Sequence, residues 1–304
     1  MPDSGIATEI YSLINNEEVS PTTNLVISKC SASDYLNNSN PNLEKLTTQY
    51  YETFSITGKL TGAFAHITIG DFFNTLSSKF CESTAVLGGL NATARKEQSV
   101  DSNTSTVITD PEELVAGTSS VTGKRGTENF GIAVFNEDVF CGELTVTESV
   151  CHLLITNEID SCIISIDNPI SNNQSAKTEL LIIPSKKSNI KVDIKDNKPY
   201  ITIDLFLEAD IMTLDKGINY ETSEVLEQIS NTTKNYLNNQ VYSYLNKVSK
   251  EYCVDIDNFC AKGPAYFTTV SEWEEFNWKE KFKDAVFYVN IDVDVLSTML
   301  ITKT

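Results

Sequence analysis

The stretch AVFYVNIDVDV (Ala285–Val295) alternates apolar with polar side chains, and what precedes it decides what it joins. Just upstream, Trp273, Phe276, Trp278 and Phe282 stud a helical segment. Before that comes Asp255-Ile256-Asp257-Asn258-Phe259, and before that a long helical pattern from about Thr222 to Tyr252. In that pattern Leu226, Ile229, Thr233, Tyr236 or Leu237, Val241, Tyr244 or Leu245, Val248 and Tyr252 recur at three- and four-residue steps, the spacing of one helix face. Glu224 and Glu227 lie near its N-terminus and Lys247 and Lys250 near its C-terminus, which suits the helix dipole. About 30 helical residues span roughly 45 Å. Such a helix, laid across an antiparallel sheet, covers much of one face. Asn290, Asp292 and Asp294 then share the other face of the last strand, facing solvent or an interface. The series predicts a binding architecture and offers no chemistry of its own.

Working towards the N-terminus, Gly131-Ile132-Ala133-Val134-Phe135, the turn Asn136-Glu137-Asp138 and the returning Val139–Val146 predict a β-hairpin. Thr147 is expected to cap a short helix, Glu148–Ile155. Cys162–Ile166, Glu179–Ile183 and Ile190–Ile194 read as strands. Asp196-Asn197-Lys198 turns the chain, and Pro199 starts the alternating strand Tyr200–Leu207, where a missing N–H is tolerated. One buried and one wet face per strand is the antiparallel signature.

Residues 1–93 mix helix and strand. Ile6–Leu13 and Leu43–Phe54 carry helical spacing, Asn24–Ser28 is a short strand and Ala65–Ile69 is β-rich. Gly70–Phe80 is expected as a helix burying Phe72, Phe73 and Leu76. Residues 94–128 are rich in Ser, Thr, Gly, Asp and Glu and read as a loop or linker. The expected division is an N-terminal α/β region, 1–126, with a polar loop at 94–126, and a second domain at 127–304. The expected fold class is α+β: antiparallel sheets packed against long amphipathic helices, in more than one domain.

The formal net charge is −19 and the arginines are two, Arg95 and Arg125. Nucleic-acid binding needs clustered cations to displace counterions, so the charge argues against that class. It argues in the same way against docking on anionic headgroups through a basic patch. No run of 18 apolar residues predicts a membrane span, and Met1–Gly5 does not open a signal peptide. The seven cysteines, Cys30, Cys81, Cys141, Cys151, Cys162, Cys253 and Cys260, have irregular spacing without Cys-x-x-Cys. That argues against a disulfide framework and for small buried apolar residues.

Candidate chemistry is thin. Gly117–Arg125 resembles a phosphate loop only briefly: five residues separate its glycines, and Arg125 stands where a Ser or Thr must reach Mg²⁺. Cys151 and His152, near Glu148 and Ser149, suggest a nucleophile and base, but neighbours on a helix do not face one another. His66 sits in an apolar run as a core or edge histidine. With two histidines and no paired cysteines, a structural zinc site finds no support. Asp255-x-Asp257-x-Phe259 begins like a Ca²⁺ loop but lacks the third ligand, the sixth-position Gly and the closing Glu, so one of these aspartates is expected to cap the next turn. Asp292 and Asp294 could pair as acid and base but read as a solvated face. Trp273, Phe276, Trp278 and Phe282 are expected mostly in the core, with one available as an interface anchor. No catalytic, cofactor-binding or metal-ligating residue is assigned, and no cofactor is expected.

The ordered elements resemble the Ger(x)C family, the C subunit of bacterial spore germinant receptors. Gly131, Ala133, Val134, Phe135, Gly142, Leu144 and Glu148 fill the family's hairpin pattern. Residues 187–205 resemble its next strand pair. Asp255, Ile256 and Phe259 fill its element after the long helix, and Trp273, Trp278 and Phe282 fill the places that follow. Asp257 stands where the family usually has an apolar residue, and Cys260 where it usually has Gly. The likeness is full over 127–304 and weak over 5–93.

The resemblance implies a non-enzymatic extracytoplasmic lipoprotein on the outer face of the spore inner membrane. Its expected role is receptor assembly or signalling in germination, with integral-membrane A and B subunits as partners and no nucleic acid. Family members begin with a lipidated Cys and a first β/α segment. None of this sequence matches those parts, so the expectation is an N-terminally truncated, soluble chain, whose parent reaches the membrane through a lipid anchor. High Asn content and cysteine usage suggest a clostridial branch. Two other readings compete: a small-molecule (germinant) binding module with a deep apolar cleft, and a soluble hydrolase built on Asp292, Asp294, His152 and Glu148.

Overall fold

The structure, a computed structural model, describes residues 5–39, 53–78, 80–91, 114–119, 126–171, 173, 175–213, 219–220 and 222–298. Two four-stranded sheets organise them. The first runs in spatial order β1 (Val26–Ser28), β2 (Thr84–Leu90), β3 (Thr127–Asn136) and β4 (Val139–Leu144). The second runs β5 (Cys162–Asp167), β6 (Lys177–Lys195), β7 (Lys198–Ile211) and β8 (Val286–Thr298). Helices α1 (Ala7–Ile14), α2 (Ala32–Asn38), α3 (Phe54–Thr61) and α4 (Ile69–Leu76) surround the first sheet's early strands. Helix α5 (Val146–Thr156) follows β4, and the long α6 (Ser223–Asn246) continues into a π-helical turn, Lys247–Tyr252. A 3₁₀ helix (Phe259–Tyr266), α7 (Val270–Phe276) and α8 (Trp278–Phe282) lead into β8.

The α+β class is as the patterning predicts. Four of the six strand pairings are antiparallel, but β1–β2 and β7–β8 are parallel. Alternation reports which face is buried; strand direction is set by the connection, and here everything from α6 to α8 forms the crossover between β7 and β8. The β6–β7 hairpin turns on Asp196 and Asn197, with φ of 49° and 60°, as a two-residue loop of left-handed residues requires.

Several expected elements shift. Glu179–Ile183 and Ile190–Ile194 belong to one strand, β6, whose register slips between Pro184 and Asn189. Bulges there carry the strand through Pro184 and a polar run, which a strict alternation test reads as a break. Helix α5 is capped by Thr145, not Thr147: Thr145 accepts from Glu148 N, and Glu148 reaches back to Thr145 N. Ala65–Ile69 is not a strand. Leu25 N donates to Ile67 O at 2.9 Å, Asn24 bridges Thr68, and Thr68 caps α4 through a capping box with Asp71. In α4 Phe72 is buried, while Phe73 and Leu76 are half-buried. Strand β2 was not foreseen, because Gly88 and Gly89 interrupt its apolar run; a Cβ at Gly89 would overlap the backbone of Ala116 and Gly117.

Within the polar stretch, Val115 and Ala116 are buried, and Thr127 and Glu128 already belong to β3. Gly117 N donates to Glu128 Oε1 at 2.6 Å, so this part is packed structure, not linker. Residues 92–113 and 120–125, with Arg95, Lys124 and Arg125, lie outside the described residues, as do 43–52 of the expected Leu43–Phe54 helix. The first sheet takes strands from both sides of position 127. Cys81 and Cys260, 179 residues apart, form a disulfide that their spacing gave no means of predicting.

Helix α6 ties the two sheets together through their edges. It buries Ile229, Thr233, Leu237, Val241, Tyr244 and Leu245 on one face, as its periodicity predicts. Strand β8 is an edge of the second sheet, and α6 bonds its backbone: Ser230 Oγ donates to Val293 O at 2.6 Å, and Val289 N donates to Tyr242 OH at 3.0 Å. Strand β4 is an edge of the first sheet, and the π-helical turn bonds it in the same way. Tyr252 OH accepts from Glu143 N and donates to Glu143 O at 2.9 Å, while Lys247 Nζ donates to Glu143 O at 3.0 Å. Gly142 makes this approach possible, since a Cβ there would overlap the Tyr252 ring. Gly142→Ala is therefore expected to destabilise the fold by about 1–3 kcal/mol, as overpacking does. Urea denaturation checks it; an unchanged midpoint would mean that the Tyr252 clasp is dispensable.

Candidate functional site

The site is built where the chain leaves α6. The π-helical turn ends at Cys253, whose φ of 56° reverses the chain into Val254-Asp255-Ile256-Asp257-Asn258. Both aspartates are buried. Asp255 accepts from Phe259 N at 3.1 Å, Cys260 N at 2.7 Å and Trp278 Nε1 at 2.9 Å. It thus caps the 3₁₀ helix, as expected of one of the pair, and also fixes α8. Burial, followed by the nearby Asp257 charge, pushes its carboxyl up to about 7 despite those hydrogen bonds.

Asp257 faces a different set of elements. Its Oδ1 accepts from His152 Nδ1 and from Tyr244 OH, each at 2.8 Å, joining α5 and α6 to this segment. Its Oδ2 is buried without a hydrogen-bond partner. Burial alone would lower the His152 pKa, but the hydrogen bond to Asp257 and that residue's charge outweigh it, and the pKa is raised. Burial, then the Asp257 charge, raises the Tyr244 phenol.

The other candidates go elsewhere. Ser149 Oγ donates to Thr145 O within its own helix, not to His152. Burial, reinforced by Glu148, raises the Cys151 thiol well above its ordinary value, so it is an inert core group. Glu148 pairs with Lys247 at 2.7 Å. Asp292 pairs with Lys234 at 3.1 Å on the exposed face of β8, which Asn290 and Asp294 share. Glu148, His152, Asp292 and Asp294 therefore do not converge, and the acidic-pair hydrolase loses the geometry it requires. Trp273, Phe276, Trp278 and Phe282 are all buried, so none is an exposed anchor. Among the described residues no group of three or more His, Cys, Asp or Glu could hold a metal ion.

His66, whose Nε2 lies 2.8 Å from Asn24 Oδ1, shares a cavity of about 730 Å³ with His152 and Asp257. The cavity lies between α4, the C-terminal end of α5 and the segment after α6, and Asp71, Glu82, Glu158 and Lys262 also line it. Beside it the two parts of the chain are joined. Glu82 N donates to Asp255 O, Glu82 pairs with Lys279 at 2.6 Å, and the Cys81–Cys260 disulfide closes the same corner. The Asp257–His152 bond was missed from the sequence because it connects residues 105 apart. The one available hint was an aspartate where the resemblance called for an apolar residue.

The cluster gives the fold a pH dependence. The His152 pKa is raised, so its contribution is complete below the unfolded value of 6.5 and is lost as pH rises through the folded value. Asp255 rises from 3.8 to about 7, so the folded state holds its proton more tightly and stability also declines across that interval. Asp257→Asn removes the charge that raises the His152 pKa and that adds to the effect of burial on Asp255. Thermal melts between about pH 5 and pH 8 are expected to show a shallower fall for the variant than for the parent chain; equal slopes would contradict the coupling.

The fold and the cluster can be set beside known proteins. The family model described as spore germination B3/GerAC like, C-terminal, matches residues 130–299. The model described as spore germination protein N-terminal domain matches residues 3–90. The crystal structure of the GerBC protein has the same fold, with a TM-score of 0.66 and 14% identity, over 97% of this chain and 76% of that one. No match was found among curated proteins. With its C-terminal match covering more than half its length, the chain belongs to the spore germination B3/GerAC-like family.

Proposed function

We propose that the chain is the extracytoplasmic C subunit of a spore germinant receptor and works without catalysis, in assembly or signalling. The observation that carries the proposal is the order of matches: an N-terminal spore germination domain over 3–90, then the GerAC-like domain over 130–299, in one chain with the GerBC fold. In this reading the parent protein sits on the outer face of the spore inner membrane through an N-terminal lipid anchor. Its partners are the integral-membrane A and B subunits. Consistent with a folded domain outside the bilayer, no helix among the described residues is long and apolar enough to cross a membrane. The buried Asp255–Asp257–His152–Tyr244 cluster serves as the internal brace that holds a binding surface in shape.

The test is co-purification. The tagged parent protein, extracted from spore membranes in mild detergent, is expected to bring down two multi-span membrane subunits encoded beside it. Spores lacking the gene are expected to lose the response to the germinants of that receptor alone. Recovery of the tagged protein without either membrane subunit, or full germination of the deletion strain with every germinant, would overturn the assignment.

A further inference from the structure

Two cavities meet at the Cys81–Cys260 disulfide. The cavity described above and a second one of about 500 Å³, which has Phe80, Phe267 and Trp273 in its lining, share Ser78, Cys81, Asn258 and Ala261. These four residues form the wall between them. Ser78 and Cys81 come from the segment between α4 and β2, and Asn258 and Ala261 from the start of the 3₁₀ helix. The disulfide ties the two sides of the wall together, and Asn258 Oδ1 lies against it, 3.1 Å from Cys81 Sγ. The same bond joins the two parts of the chain, since Cys81 falls within 3–90 and Cys260 within 130–299.

Three observations set this bond apart from a staple in the core. Cys81 is within reach of solutes: it is half-buried and also lines a third cavity, of about 650 Å³, whereas Cys260 is only 3% exposed. Disulfides that solvent reaches are the ones that exchange with thiols. Neither cysteine belongs to a strand or an α-helix, so either segment can shift without breaking a sheet ladder. The corner also has bonds that do not pass through sulfur: Glu82 N donates to Asp255 O at 3.1 Å, and Glu82 pairs with Lys279 at 2.6 Å. Those bonds keep the two parts of the chain together when the disulfide opens.

We propose that Cys81–Cys260 is a reducible latch: a small thiol opens it, the Cys81 and Cys260 segments part, and the two cavities become one. The thiolate of a small dithiol attacks Cys81 Sγ, the sulfur within reach. The Cys81–Cys260 bond breaks, and Cys260 leaves as a thiolate that takes a proton from solvent. The second thiol of the reagent then attacks its own sulfur in the mixed disulfide and releases Cys81, which is protonated in turn. The protein gains two electrons and two protons, and the dithiol is oxidised to its cyclic disulfide. The latch goes beyond the receptor reading and stands whether or not that reading holds.

The test treats the full folded chain with about 10 mM dithiothreitol and follows the two cysteines by alkylation and mass spectrometry. Cys81 and Cys260 are expected to become alkylated while the far-UV circular dichroism stays unchanged. Quenching of indole emission by acrylamide is expected to rise at least about twofold as the wall opens locally, because Trp273, 3% exposed with the latch closed, lines the second cavity. Cys81→Ser and Cys260→Ser cannot close the latch and are expected to show the raised quenching with and without reductant. The proposal is overturned if the bond resists the dithiol in the folded chain or if its reduction leaves quenching unchanged. It is equally overturned if reduction unfolds the chain, which would make the bond a structural staple. If a Ser variant fails to fold as it is made, the parent chain still decides, because there the bond forms first and is reduced afterwards.

Discussion

An unpaired strand edge is the constraint on which the rest of this structure depends. Each sheet ends in a strand with backbone groups that need partners, β4 in one and β8 in the other. Left open, such edges invite pairing with other chains. Helix α6 and its π-helical turn supply side chains to both, through Ser230 and Tyr242 on β8 and Lys247 and Tyr252 on β4. Protection of the edges and connection of the sheets are thus one set of hydrogen bonds. The π-helical geometry at Lys247–Tyr252 coincides with the residues that must reach β4, in keeping with the tendency of such turns to occur where side chains have a specific task.

The buried aspartates follow from that arrangement. A chain leaving α6 has to turn sharply and dock α8 and β8 in register. Asp255 and Asp257 are two residues apart in a non-helical segment and bond different neighbours. Asp255 organises what comes next, the 3₁₀ helix and Trp278; Asp257 looks back to α5 and α6. Burying two carboxylates side by side is expensive in solvation. The return is geometric: apolar packing tolerates sliding, whereas these bonds accept one arrangement only.

What the sequence made legible tracks what is local. The faces of α6, the β3–β4 and β6–β7 hairpins and the alternation of β8 are periodic signals, and they read correctly. Capping was legible too, but Thr145-x-x-Glu148 was passed over for Thr147, although the Glu three residues on was the better sign. Strand β2 hid behind Gly88 and Gly89: the missing side chain at Gly89 admits the backbone of residues 116–117, and that at Gly88 admits the Val26 and Tyr35 side chains. Parallel β7–β8 pairing left no trace in alternation. The cluster itself was the least legible part, because His152 and Asp257 meet only after two sheets and a long helix are in place. Spacing does not encode such a meeting, nor does it encode the Cys81–Cys260 bond.

The placement of the tryptophans has an optical consequence. Trp273 and Trp278 are the only two in the chain, and their rings lie 5.5 Å apart. Intrinsic indole emission from this protein therefore reports a single corner, around α7 and α8, and is silent about the first sheet. That corner includes Asp255, which accepts from Trp278 Nε1 and whose carboxyl burial pushes up to about 7. Fluorescence-detected unfolding would follow the second sheet and its junction, and loss of structure around β1 and β2 would need tyrosine absorbance or circular dichroism to be seen.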